Sequence, residues 1–191
     1  HLRAKYSNPH FPVMDHYTYV LASDGDLQEG VSFEALSLAG HLKLNRLIIL
    51  FDSNDVQLDG PVSNSASLNM QGYIESIGLD YFKVEDANDT ESIGEALEAA
   101  KKSAKPSFIE VKSIIGYRAS KAGTSAVHGA PLGTEETTRL RDVFDYHEAP
   151  FEVAEAVKTD FETKIQLPGQ EKVQAYEALF DAYAFEYPDE S

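Results

Sequence analysis

The run Leu47-Ile-Ile-Leu-Phe51 is apolar at every position and closes on a polar turn, Asp52-Ser-Asn-Asp55. A strand wet on one face alternates in polarity. An uninterrupted run instead marks a strand dry on both faces, as in a parallel sheet covered by helices. A parallel neighbour needs a long crossover, usually helical. The preceding segment supplies one, because Val31, Ala35, Leu38, Ala39 and Leu42 recur at helical spacing over residues 28–44, with Asp26 and Glu29 near its positive end. Before that helix, His16-Tyr-Thr-Tyr-Val-Leu-Ala22 reads as a strand delivering the turn Ser23-Asp-Gly-Asp26.

The alternation continues. Helices are predicted over residues 70–77 and 91–102 and strands over 81–84 and 108–114, with Pro106 separating the last pair. The fold class is therefore α/β, a doubly wound and mostly parallel sheet. Residues 116–133 form an irregular stretch with glycines at 116, 123, 129 and 133, a loop length that often carries function. Thr134-Glu-Glu reads as the N-cap of a helix over 134–146. A C-terminal helical extension follows, with helices over 153–164 and 170–187 split by Leu167-Pro-Gly169.

Composition narrows the function. In 191 residues, 32 acidic side chains face 16 basic ones, a net charge of −16 that excludes a general nucleic-acid or anionic-membrane binder. There is no cysteine, so thiolate metal sites and thiol nucleophiles are out and any metal must be held by oxygen or imidazole. No apolar run approaches the length of a membrane span, and the reading is a soluble, cytoplasmic protein. The sequence opens on His1 with no targeting character, which suggests a piece of a longer protein.

Two turns at the carboxyl ends of the first two strands carry Asp24 and, 30 positions later, Asn54, the place where open α/β sheets bind ligands. A carboxylate, an amide oxygen and a backbone carbonyl just beyond Asn54 are hard donors suited to Mg²⁺ or Ca²⁺. Phosphate oxygens and water would complete an octahedron. Gly25 permits close approach of that phosphate, beside the start of the following helix. Taken singly, Asp-Gly and Asn-Asp are also ordinary turn formers.

The combination Ala22-Ser-Asp-Gly-Asp-Leu-Gln-Glu-Gly30, the helix after it and Phe51-Asp-Ser-Asn-Asp-Val-Gln-Leu-Asp-Gly60 resembles the thiamine diphosphate motif that begins Gly-Asp-Gly and ends in Asn. More specifically it is similar to the transketolase family, as are Asp15-His-Tyr-Thr-Tyr19, Ile114-Ile-Gly-Tyr117, Lys121-Ala-Gly-Thr124 and His128-Gly-Ala-Pro-Leu-Gly133 in the same order. The likeness covers nearly the whole chain and weakens after about residue 152. Ser23 departs from it by standing where the motif has its first glycine, which puts cofactor affinity in question if the backbone there is left-handed.

The resemblance implies an incomplete thiamine diphosphate-binding fold. Residues 1–150 would be part of a diphosphate-binding domain, and 151–191 a helical linker toward an absent pyrimidine-binding domain. It implies Asp24, Asn54 and the Val56 carbonyl as metal ligands, Gly25 and Asn54 as diphosphate contacts, Glu29 near the cofactor at a subunit interface, and His128 touching cofactor and donor substrate as the catalytic imidazole. For Glu29, plain helix N-terminal charge is an equal reading. The histidines at 1, 10, 16, 41 and 147 have no motif role. The implied parent is a homodimeric transferase of the pentose phosphate pathway that moves a two-carbon ketol unit between sugar phosphates, with Mg²⁺ or Ca²⁺ neutralising the diphosphate in place of a basic cluster. A phosphoketolase, a 1-deoxyxylulose-5-phosphate synthase and a non-catalytic stand-alone module are the alternatives. Because the rest of the cofactor site lies in segments with no counterpart here, the chain alone is expected to be inactive and to present an open sheet edge.

Overall fold

The computed structural model describes residues 2–191, so His1 lies outside the described residues. In chain order the elements are α1 (Leu2–Tyr6), β1 (Thr18–Ser23), α2 (Gly30–His41), β2 (Leu47–Ser53), β3 (Val56–Gln57), β4 (Gly60–Pro61), α3 (Met70–Ser76), β5 (Asp80–Val84), α4 (Thr90–Lys102), β6 (Ser107–Lys112), α5 (Thr134–Val143), α6 (Glu155–Phe161) and α7 (Leu167–Glu186). The chain divides into two compact units. One spans Tyr17–Asp145, and the other joins the segment ending at His16 to Tyr146–Ser191.

In the first unit, β1, β2, β6 and β5 lie in that order, every pair parallel. Along β2, side chains alternate between two dry faces. Ile49 and Phe51 pack with Leu27, Leu36, Ile74, Leu79 and Phe108 under α2 and α3, whereas Ile48 packs with Val84, Ile109, Val111 and Ala100 under α4. That two-sided burial is why β2 reads as an unbroken apolar run. The register sets Ser23 opposite Asp52 and Ser53 opposite Lys112, so the carboxyl ends of β1, β2 and β6 finish level. At the sheet's edge β1 is bare, with Leu21 83% exposed. β6 ends two residues before the predicted 114. There the Ser113 N–H turns to the Ser53 carbonyl and its hydroxyl donates to Asp52.

Two expectations about helices are corrected. Thr134 is not an N-cap; Gly133 holds that position, and Thr134 is the first helical residue. Nor does Leu167-Pro-Gly169 split the extension. A π turn over Glu162–Gln166 joins α6 to α7, and Pro168 falls in the first turn of α7, where a missing N–H costs least. Within this second unit, Phe11 meets Tyr183 and Tyr187 edge-on, with ring centroids 6.0 and 5.9 Å apart, and Arg3 pairs with Asp15 at 3.1 Å. Among the described residues no helix is long and apolar enough to cross a membrane.

Candidate functional site

The two turns predicted to carry ligands meet. Asp24 follows β1 directly and is only 8% exposed; its Oδ2 accepts the N–H groups of both Asn54 and Asp55, at 3.2 and 3.1 Å. Two donors on one oxygen leave Oδ1 without a protein donor among the described residues. Burial pushes the Asp24 carboxyl up from its ordinary value, against the pull of those two amides, and Lys112 only partly offsets the nearby Asp55 charge. A buried carboxylate in this state gains from a bound cation, which supplies the counter-charge that its surroundings lack.

The Asn54 turn is built by its own side chains. Asn54 Oδ1 accepts the Val56 N–H at 3.0 Å, and Nδ2 donates to Asp52 at 3.0 Å. Asp55 takes a left-handed backbone, φ 62°, which a short polar side chain tolerates best. Asn54 Oδ1 retains a lone pair for a second partner.

Ser23 lies at the end of β1 with a negative φ, so the departure from Gly-Asp-Gly brings no left-handed strain. Its N–H and hydroxyl both donate to Asp26 Oδ2, at 2.8 and 2.7 Å, which holds that carboxyl below its ordinary range and draws it back toward the strand. Gly25 has φ −66°, and a Cβ there would meet nothing within 4 Å. Neither backbone nor packing requires a glycine there, and the space it leaves open suits a close-approaching diphosphate. Donor chemistry and open space thus fit a hard cation with a phosphate ligand. Among the described residues no group of three His, Asp or Glu side chains forms a metal cage, so a cation held here would take its remaining ligands from water or ligand oxygens.

Neither Glu29 nor His128 is bonded into this junction. Glu29 precedes α2, is exposed and makes no capping bond; His128 is exposed at the end of a short 3₁₀ turn (Ser125–Val127). None of the hydrogen bonds or ion pairs among the described residues ties either to Asp24 or Asn54.

Sequence reasoning missed Lys112 and Glu110. Lys112 Nζ reaches across from β6 to donate to Ser53 Oγ at 3.1 Å and to pair with Asp55 at 2.9 Å. Glu110 accepts from Ser53 Oγ at 2.9 Å and from the Tyr81 hydroxyl at 2.5 Å; burial first, then that bond, push the Tyr81 phenol up. Both border a cavity of about 500 Å³ that also reaches Asp24, Phe33 and Phe51. The signal was available, since two charges at alternate positions of an otherwise apolar strand require partners.

A parallel sheet that gathers a buried carboxylate and an asparagine turn at its carboxyl end defines a ligand-binding α/β protein. Residues 1–191 match the family described as transketolase, thiamine diphosphate binding domain. The chain belongs to that family. It is 48% identical to a transketolase of Streptococcus pyogenes over 190 residues, covering 99% of this chain and 26% of that protein. With a transketolase of Geobacillus stearothermophilus, identity is 45% over 192 residues, covering 99% and 29%. Among solved structures, a transketolase from Leishmania mexicana superposes with a TM-score of 0.93 at 37% identity, over all of this chain and 29% of that one. A Pichia stipitis transketolase in complex with sedoheptulose 7-phosphate gives 0.92 at 35% identity, over 98% and 28%. The chain thus spans under a third of the length of these relatives.

Proposed function

We propose that this chain is the diphosphate-binding segment of a transketolase, an enzyme that transfers a two-carbon ketol unit from a ketose phosphate to an aldose phosphate. Residues 1–150 would form part of the diphosphate-binding domain, with 151–191 leading toward a pyrimidine-binding domain. The parent is read as a cytoplasmic homodimer of the pentose phosphate pathway. The observation that carries the reading is Asp24, a buried carboxylate whose Oδ2 is held by the Asn54 and Asp55 amides while Oδ1 stays open.

Asp24, Asn54 Oδ1 and the Val56 carbonyl hold Mg²⁺ or Ca²⁺, and the N–H groups around Gly25 approach the diphosphate. Bound thiamine diphosphate supplies the electron sink for breaking and making the carbon–carbon bond. The His128 imidazole donates a hydrogen bond to an anionic oxygen of the donor sugar and moves a proton there. Glu29 stands at the start of α2, beside the cofactor and a second subunit.

The test is a chimera in which this chain replaces its counterpart in the Geobacillus stearothermophilus transketolase. Ketol transfer dependent on both thiamine diphosphate and Mg²⁺ is expected, and an inert but folded chimera overturns the reading. The 191-residue chain alone is expected to show no transfer and weak cofactor binding by calorimetry, because it supplies a minority of the contacts.

A further inference from the structure

The irregular stretch after β6 is fastened from outside by one helix. Glu136, in the first turn of α5, accepts the Ser120 N–H at 2.8 Å and the Arg139 side chain at 2.6 and 3.1 Å; Arg139 Nη2 also donates to the Arg118 carbonyl at 2.6 Å. One carboxylate and one guanidinium thereby hold two backbone groups two positions apart. These bonds hold Glu136 far below the usual carboxylate range, near 2, so the pair is charged at any physiological pH.

The region gripped holds a backbone conformation that persists only when its surroundings enforce it. Arg118 is left-handed, φ 61°, an uncommon conformation for a side chain of its size, and its guanidinium stacks over Tyr117 and Phe144 with 5.4 and 5.7 Å to the ring centroids. Gly116 is also left-handed, and a Cβ there would meet Val127 at 2.8 Å, so the loop's start is folded against its middle. From Ser120 a series of short-range bonds runs on: Thr124 Oγ1 to the Lys121 carbonyl at 2.7 Å, Val127 N–H to Thr124 at 3.3 Å, and His128 N–H to Ser125 at 3.1 Å.

We infer that Glu136 and Arg139 are positioning residues, a clamp that fixes the stretch from Arg118 to His128 and so sets where the His128 imidazole stands. The inference rests on the role proposed for His128, and adds that this role depends on two residues of α5 that never reach the substrate. Among the described residues the His128 side chain has no hydrogen bond of its own, so its position comes from the backbone beneath it.

The test pairs hydrogen exchange on the 191-residue chain with kinetics of the chimera, using Glu136→Ala, Arg139→Ala and the charge-keeping Arg139→Lys. Both alanine variants should speed amide exchange over residues 118–128 by about tenfold or more while leaving the sheet amides unchanged. In the chimera they should lower kcat about tenfold, with Mg²⁺-dependent cofactor affinity within about twofold of the parent, and Arg139→Lys should recover part of the loss. Unchanged exchange overturns the clamp. So does faster exchange with unaltered kcat, which would make the pair a merely structural fastening. An inactive parent chimera counts against the proposed activity instead, and the exchange result still decides the clamp.

Discussion

The Asp24–Asn54 junction and the stretch 116–133 both follow strands of one sheet, yet they are held in different ways. The junction joins residues 30 apart through backbone amides aimed at one buried oxygen, and Lys112 tightens it from a third strand. The later stretch is mostly exposed, folds on bonds between residues three to eight apart, and is held from outside by α5. The first arrangement is set by sheet register and the second by local geometry and one ion pair. Binding and turnover should therefore separate by mutation.

The largest effect is expected at the junction. In the chimera, Asp24→Ala removes the sole carboxylate ligand and the acceptor for two amides. Mg²⁺-dependent thiamine diphosphate affinity should fall by about a hundredfold or more by calorimetry; parental affinity would show Asp24 to be an ordinary turn residue. His128→Ala should lower kcat by about ten- to a hundredfold with cofactor affinity falling far less than in Asp24→Ala, as steady-state kinetics will tell. An equal loss of both would join two regions that share no hydrogen bond or ion pair among the described residues.

Lys112→Met frees Asp55 and loosens the Asn54 turn from a distance. The cost should be about 1 kcal/mol in cation binding, or about fivefold in Kd, with exchange over 118–128 unaffected. The smallest effect is on stability. Because the Asp24 carboxyl is raised above its unfolded value, its stabilising contribution is full below the unfolded value, near 3.9, and is lost as pH rises through the folded one. At neutral pH the cation-free chain thus carries a desolvated charge. Asp24→Asn keeps an oxygen for both amides and should raise Tm by about 2–4 °C near pH 7, with the advantage vanishing in acid. A lowered Tm at pH 7 would mean that the charge is already compensated.

Much of this was legible locally. Leu47-Ile-Ile-Leu-Phe51 announced a two-sided strand, and the turns after β1 and β2 stood out by residue type. What the sequence hid was set by distance along the chain. That Asp24 meets the Asn54 turn follows from the pairing of Ser23 with Asp52, and that Lys112 serves Asp55 follows from the pairing of Ser53 with Lys112, 59 positions apart. The α6–α7 junction was misread for another reason. Proline breaks helices in general, but the π turn before Pro168 shifts the bonding pattern where the missing donor would matter.

The strand order carries a consequence for assembly. β6 lies between β2 and β5 yet is the last of the four to be synthesised, so the sheet cannot close until residue 112 has emerged. Before then β1 and β2 can pair, but β5 has no neighbour and the Asn54 turn lacks the ammonium that pins Asp55. Long-range parallel pairing of this kind is slow, and it leaves apolar edges exposed in the interval. The binding turn therefore gains its last partner only with β6, and its completion reports that these four strands have come together.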